Sequence, residues 1–218
     1  EVRVWDLATG ACTWVMTGHD EDVRGVSASA DGRTAATCSF DKSVRVWNLE
    51  SGTEMNRMDG HSDKVFGVSM AGNGSKVVSC SWDMSVRVWD TGTGKALGPP
   101  MQPPSGMGIG LQQPGSTGSI TSVTSVTAPQ STRMLKGHEK EVLAVAVTSD
   151  GSRAVSGSVD GTVRVWEVST GEQLSKCEGH TDWVMGVAVT PNGSLAASCG
   201  RDATVRLWTL SGREGRKI

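Results

Sequence analysis

The chain is poor in aromatic residues and has no long apolar run. It contains no Tyr, two Phe and eight Trp among 218 residues. No apolar stretch approaches the ~18 residues of a membrane-spanning helix, and no signal peptide opens the chain. A net charge of −2 gives no basic surface of the kind that binds nucleic acid. These absences argue against a membrane protein and against a nucleic-acid-binding protein.

Cysteine is also scarce and shows no pairing pattern. Five Cys are an odd number, which fits a reducing compartment better than a set of disulfides. We therefore expect the protein in the cytoplasm or the nucleus. The close Cys or His pairs of a zinc site are absent, so we expect no metal and no cofactor.

What the chain does have is a repeat built around Gly-His pairs. The period is 42 residues, from His19 to His61 and again from His138 to His180. Between His61 and His138 it is broken by an insert of 35 residues. Each His is followed at fixed distances by a turn pair, an Asp and a Trp. The repeated Asp and Trp are Asp41, Asp83, Asp160 and Asp202, then Trp47, Trp89, Trp166 and Trp208. Four matches at fixed distances rule out chance similarity.

The turn pairs predict the secondary structure of each repeat. They are Asp31-Gly32, Asn73-Gly74, Asp150-Gly151 and Asn192-Gly193. Such pairs favour two-residue hairpins in which both positions take positive φ. In the first repeat the predicted strands are 23–29, 33–39, 44–47 and 54–59. A sheet of four short antiparallel strands cannot cover its own faces, so it must stack on copies of itself.

The Gly-His, Asp and Trp-Asp pattern, with Trp5-Asp6 and Trp89-Asp90 intact, resembles the WD-repeat family of β-propellers. The resemblance implies an all-β propeller with four complete four-stranded blades and an N-terminal half-blade, which we expect to be a fragment of a larger ring. The half-blade is 1–17, the blades are 18–59, 60–136, 137–178 and 179–218, and a disordered insert is predicted at about 98–130.

The resemblance also implies a buried hydrogen-bond network that runs from Trp to Ser to His to Asp in each blade. Besides the repeated His, Asp and Trp, the predicted members are Ser39, Ser81 and Ser158. Gly200 stands at the Ser position of the last blade, so its network should be incomplete and the blade the weakest. His, Ser and Asp together also suggest a catalytic triad. Because an active site is single and this set recurs, we interpret it as structural.

Aromatic and charged residues at repeat-variable positions point to binding. Phe40, Trp82 and Trp183 stand where other repeats carry Val or charged residues. In propellers of this family, such positions open onto the top rim around the central channel. The predicted partner-binding residues are Arg24, Phe40, Phe66, Trp82, Leu143, Trp183, Met185 and Arg201. Large aromatic residues at exposed positions are typical anchors of protein interfaces.

The sequence therefore predicts a non-catalytic scaffold that binds a protein or peptide on its top face. We expect no nucleic-acid, membrane or small-molecule partner. One alternative is a sensor or substrate-receptor propeller of a larger multidomain protein. That larger protein would be a ubiquitin ligase, or an enzyme whose catalytic part lies outside this sequence.

Overall fold

The computed structural model describes residues 1–95, 133–210 and 216–217. The insert predicted at 98–130 lies outside the described residues. Within the described ranges the chain forms strands and turns and no helix. In that part of the chain there is accordingly no helix long and apolar enough to cross a membrane.

The strands form one two-stranded sheet and four four-stranded antiparallel sheets. The two-stranded sheet consists of β1 (Val2–Trp5) and β2 (Cys12–Met16). The first sheet contains β3 (Val23–Ala28), β4 (Thr34–Ser39), β5 (Val44–Asn48) and β6 (Thr53–Met58). The second contains β7 (Val65–Met70), β8 (Lys76–Ser81), β9 (Val86–Asp90) and β10 (Arg133–Leu135).

The remaining eight strands form the third and fourth sheets. The third contains β11 (Val142–Val147), β12 (Arg153–Ser158), β13 (Val163–Glu167) and β14 (Gln173–Cys177). The fourth contains β15 (Val184–Val189), β16 (Leu195–Gly200), β17 (Val205–Thr209) and β18 (Arg216–Lys217). Strands that follow one another in the chain are neighbours in every sheet. The prediction of an all-β chain with four four-stranded blades is confirmed.

The hairpin turns between the first two strands of each sheet differ from the prediction. Gly32 has a φ of 69°, whereas Asp31 is not among the residues with positive φ. The loop is longer than two residues, because the Ser29 N–H donates to the Thr34 carbonyl at 2.9 Å. The Asp31 carboxylate accepts hydrogen bonds from the Ser29 hydroxyl and the Arg33 N–H. The prediction that both turn residues take positive φ was wrong, because this carboxylate orders a wider turn in which only Gly is left-handed.

The sheets stack through their first strands. β3 lies against β7, β7 against β11, and β11 against β15. Apolar residues fill each gap between sheets; Val44 and Val46 of the first sheet share one cluster with Val65 and Val68 of the second. Burial against the next copy of the repeat thus supplies the core that a single sheet lacks.

Each sheet contains a hydrogen-bond chain, which the second sheet illustrates. The Trp89 indole N–H donates to Ser79 Oγ at 2.8 Å, and Ser79 Oγ lies 2.7 Å from His61 Nε2. His61 Nδ1 lies 2.8 Å from Asp83 Oδ2. The other three sheets repeat this chain through the hydroxyls of Thr37, Ser156 and Ser198.

The prediction that Ser39, Ser81 and Ser158 link Trp to His was therefore wrong. The Ser81 hydroxyl instead donates to the Asp63 carbonyl and accepts the Asp83 N–H, both at 3.0 Å, and Ser39 and Ser158 make the corresponding bonds. Residues two apart on a strand share a face, so spacing alone could not separate the two hydroxyls. The register of the strands distinguishes the two hydroxyls. Trp89 pairs with Val77, which is two residues from Ser79 and four from Ser81.

The last network is complete, which also corrects the prediction for Gly200. Ser198 Oγ lies 2.8 Å from His180 Nε2 and accepts the Trp208 indole N–H at 2.8 Å. Gly200 stands only in place of the Ser whose hydroxyl accepts the backbone N–H of the network Asp in the other sheets. The fourth sheet is therefore not the weakest on the ground of a broken network.

The protonation states of the network follow from burial. Desolvation lowers the pKa of His61, and the hydrogen bond that His61 donates to Asp83 only partly offsets this. Burial raises the pKa of Asp83, but hydrogen bonds from His61, Ser85 and the Ser62 N–H outweigh it and hold the pKa below its usual range. A neutral imidazole beside a carboxylate donates from Nδ1 and accepts at Nε2, so the Ser79 hydroxyl donates to His61.

Candidate functional site

Three residues from each sheet meet at one end of the stack and form what we call the rim. One stands just before the first strand, one is the second residue of that strand, and one follows the second strand. The rim residues are Asp22, Arg24, Phe40, Lys64, Phe66, Trp82, Glu141, Leu143, Val159, Trp183, Met185 and Arg201. A backbone hydrogen bond joins the residue before the first strand to the residue after the second strand. In the second sheet the Trp82 N–H donates to the Lys64 carbonyl at 3.0 Å.

A β-bulge turns the middle rim residue of every sheet out of the ladder. In the second sheet Val65 pairs with Ser81 and Gly67 with Cys80, which leaves Phe66 without a register partner. The first, third and fourth sheets have the same shift at Arg24, Leu143 and Met185. Bulges redirect side chains at functional sites, and here they bring four different side chains to the rim.

Three rings from two sheets pack together as the aromatic cluster, which consists of Phe40, Phe66 and Trp82. Phe66 stacks on Trp82 with ring centres 5.0 Å apart and planes inclined by 14°. Phe40 lies 5.2 Å from Phe66 and 6.5 Å from Trp82. The two Phe are half-buried, whereas Trp82 is 38% exposed.

Cations of the chain lie over these rings. The Arg24 guanidinium is 5.2 Å from the Phe40 ring centre and 5.4 Å from that of Phe66. The Lys64 ammonium is 4.5 Å from Phe40 and 5.5 Å from Trp82. In the fourth sheet Arg201 lies 4.9 Å above the ring of Trp183. These distances are within the range of cation–π contacts.

The rim surrounds a cavity of about 600 Å³ to which all four sheets contribute. Its lining residues are Arg24, Phe66, Trp82, Glu141, Leu143, Val159, Trp183 and Met185. Cavities of about 300–1,000 Å³ with apolar walls and a few polar groups are typical ligand sites. Trp183 is 40% and Met185 52% exposed, so large apolar surface faces solvent here.

Six of the eight predicted partner-binding residues line this cavity. The other two stand behind it: Phe40 lies within the aromatic cluster, and Arg201 covers Trp183. Sequence reasoning missed Glu141 and Val159, which occupy the repeat positions of Trp183 and Trp82. Treating every residue at a variable position as a candidate, rather than only the unusual ones, would have found both.

The indole N–H groups of the rim differ from those of the networks. In the four networks each indole N–H donates to a buried hydroxyl. Within the described part of the chain, no hydrogen bond is formed by the indole N–H of Trp82 or Trp183. Two donors with apolar surroundings are therefore available to a partner at the rim.

The network side chains are connected like a hydrolase triad, but their hydroxyl is not accessible to a substrate. Ser79, His61 and Asp83 are linked as Ser, His and Asp are in such enzymes. Ser79 is fully buried, and its oxygen already accepts the Trp89 indole N–H. A substrate cannot reach this hydroxyl while the sheet is folded. Among the described residues no group of three or more His, Cys, Asp or Glu is placed to hold a metal ion.

Comparison with protein families identifies the repeats. The family model described as "WD domain, G-beta repeat" matches residues 10–48, 52–90, 129–167 and 171–209. These four segments together cover more than half of the chain. Each segment ends one residue beyond the Trp that donates to the network hydroxyl of its sheet.

Proposed function

Because the chain belongs to the WD-repeat family, we propose that it is a non-catalytic scaffold that binds a protein or a peptide at the rim. Repeats of this family generally serve as protein-interaction scaffolds. The observation that carries the proposal is the apolar cavity of about 600 Å³ that the four sheets enclose with exposed Trp82 and Trp183.

Several features support the rim over other exposed surfaces. Exposed Trp with an unsatisfied N–H is a frequent anchor of protein interfaces. The charged rim residues Asp22, Lys64 and Arg201 surround the apolar lining, as a polar periphery surrounds the centre of an interface. The aromatic cluster supports Trp82 from behind, so this anchor is held in place before a partner arrives.

The test is a selection of binding peptides from a random displayed library on the intact chain. Trp82→Ala and Trp183→Ala should each weaken the selected peptides roughly tenfold, equivalent to ~1.4 kcal/mol. Met55→Ala is the matched control, because Met55 is 45% exposed on β6 and is not among the residues that line the cavity.

The melting temperature of all three variants should stay close to that of the parent. Shifts of indole N–H signals in an NMR titration should be confined to Trp82 and Trp183. Peptides that bind both Trp variants as well as the parent, or lose affinity equally for Met55→Ala, would overturn the proposal.

A further inference from the structure

The rings at the rim already carry cations of the chain itself. Arg24 and Lys64 lie over the aromatic cluster, and Arg201 lies over Trp183. A cationic ligand such as a methylated Lys needs open aromatic faces and would meet these charges first. The rim therefore disfavours a basic partner, although it is rich in aromatic residues.

The same three cations have no anionic partner. Among the residues that the structure describes, no carboxylate lies within ion-pair distance of Arg24, Lys64 or Arg201. Some other surface cations are paired, since Arg57 lies 2.9 Å from Asp59 and Lys176 lies 2.7 Å from Glu178. The guanidinium and ammonium donors of the rim are therefore available to an anionic group from outside the described chain.

The charges are unevenly distributed around the cavity. Arg24 and Lys64 belong to the first and second sheets and meet at the aromatic cluster. Glu141 of the third sheet is the carboxylate in the cavity lining. A bound carboxylate would be attracted to the first pair and repelled by Glu141, because like charges in a partly apolar site are costly. This asymmetry orients a ligand that has one acidic end.

We propose that the rim binds an acidic peptide segment. A bulky apolar side chain fills the cavity between Trp82 and Trp183, and a neighbouring carboxylate contacts Arg24 and Lys64. The inference rests on the proposed function and specifies its ligand. The indole N–H groups supply further donors to the peptide backbone or to the same carboxylate.

The test uses matched peptides made from those selected on the intact chain. Each is synthesised with its acidic residues as selected, changed to the amides, or changed to Lys. The acidic form should bind at least about tenfold more tightly than the Lys form, and its affinity should fall as salt is raised. Arg24→Gln with Lys64→Gln should remove most of this preference, whereas Glu141→Gln should leave it intact or increase it.

Charge reversal separates attraction from altered folding. Arg24→Glu with Lys64→Glu should prefer the Lys peptide to the acidic one, which a merely destabilised chain would not do. Peptides that need Trp82 but bind equally well in all three charge forms would overturn this inference and leave the proposed function standing. Peptides insensitive to Trp82→Ala and Trp183→Ala would overturn both.

Discussion

The second and fourth sheets have nearly the same sequence pattern but different surroundings. Val86 is fully buried, whereas its counterpart Val205 is 73% exposed. Cys80 is buried and Cys199 is exposed. The second sheet lies between two others, whereas the face of β16 and β17 that corresponds to the buried face of β8 and β9 is open in the described structure.

The interior of the two sheets is nevertheless the same. His180, Ser198 and Trp208 are hydrogen-bonded as His61, Ser79 and Trp89 are, with distances that agree within 0.1 Å. Hydrogen bonds within a sheet thus depend on the repeat alone, whereas burial of a face depends on the neighbouring sheet. This separation of local and neighbour-dependent stability is expected of repeat proteins.

The largest expected difference between the two sheets is for a charge placed on the packed face. Val86→Asp should cost more than about 4 kcal/mol, because an unpaired carboxylate would be buried between sheets. Val205→Asp should change the free energy of unfolding by less than about 0.5 kcal/mol. Urea unfolding followed by Trp fluorescence measures both. If Val86→Asp does not fold, Val86→Ala and Val205→Ala are compared instead. Equal losses in the free energy of unfolding would contradict the difference between the two sheets.

Sequence reasoning predicted what is local and missed what depends on register or neighbours. The strands of the first sheet were placed within one residue, because turn pairs and alternation mark them. The His, Asp and Trp of each repeat were identified from their fixed spacing, and the resemblance to the WD-repeat family implied that they form a network. The linking hydroxyl was misplaced by two residues, since Thr37 and Ser39 lie on the same face and only the pairing with β5 distinguishes them.

The candidate site was predictable in its members but not in their arrangement. Alignment of the repeats singled out Trp82 and Trp183, because neither stands at the Trp position of the repeat motif. The bulge at Phe66 and the stacking of Phe66 on Trp82 depend on backbone geometry that no pattern in the sequence reports. The contact of Lys64 with Phe40 was likewise invisible in the sequence, because the two residues belong to different repeats.

Thiol chemistry gives a second contrast between covered and open faces. Burial raises the pKa of Cys38 to about 12 and that of Cys80 well above its ordinary value, so neither forms the reactive thiolate near neutral pH. A thiol reagent should rapidly modify the exposed Cys12 and Cys199 and modify Cys38 and Cys80 only after unfolding. Cys199→Ser should remove one rapid reaction, and rapid modification of Cys80 in the folded chain would contradict the stacking.

The networks should behave alike in the two sheets. His61→Ala and His180→Ala should each cost on the order of 1–3 kcal/mol, because either change leaves the proton of a buried hydroxyl without an acceptor and removes one hydrogen bond from the network carboxylate. The two losses in urea unfolding should agree within about 0.5 kcal/mol, since the hydrogen bonds are the same. A clearly smaller loss for His180→Ala would restore the idea that Gly200 weakens the fourth sheet.

The smallest expected effect concerns the turn after the network Asp. Met84 and Ala203 have φ values of 63° and 60°, a left-handed conformation that costs a side-chain-bearing residue about 1–2 kcal/mol. The corresponding residue of the third sheet is Gly161, which has a φ of 77°. Met84→Gly and Ala203→Gly should each raise the free energy of unfolding by about 0.5–1 kcal/mol, because relief of strain exceeds the added entropy of the unfolded chain.

Gly161→Ala is the reverse control for this turn and should lower stability by at least about 1 kcal/mol. The added methyl group would also lie 3.2 Å from the His180 carbonyl oxygen. Because the strain is local, Met84→Gly in the covered sheet and Ala203→Gly in the open sheet should gain similar amounts. A gain in the second sheet with none in the fourth would show that even this turn depends on the neighbouring sheet.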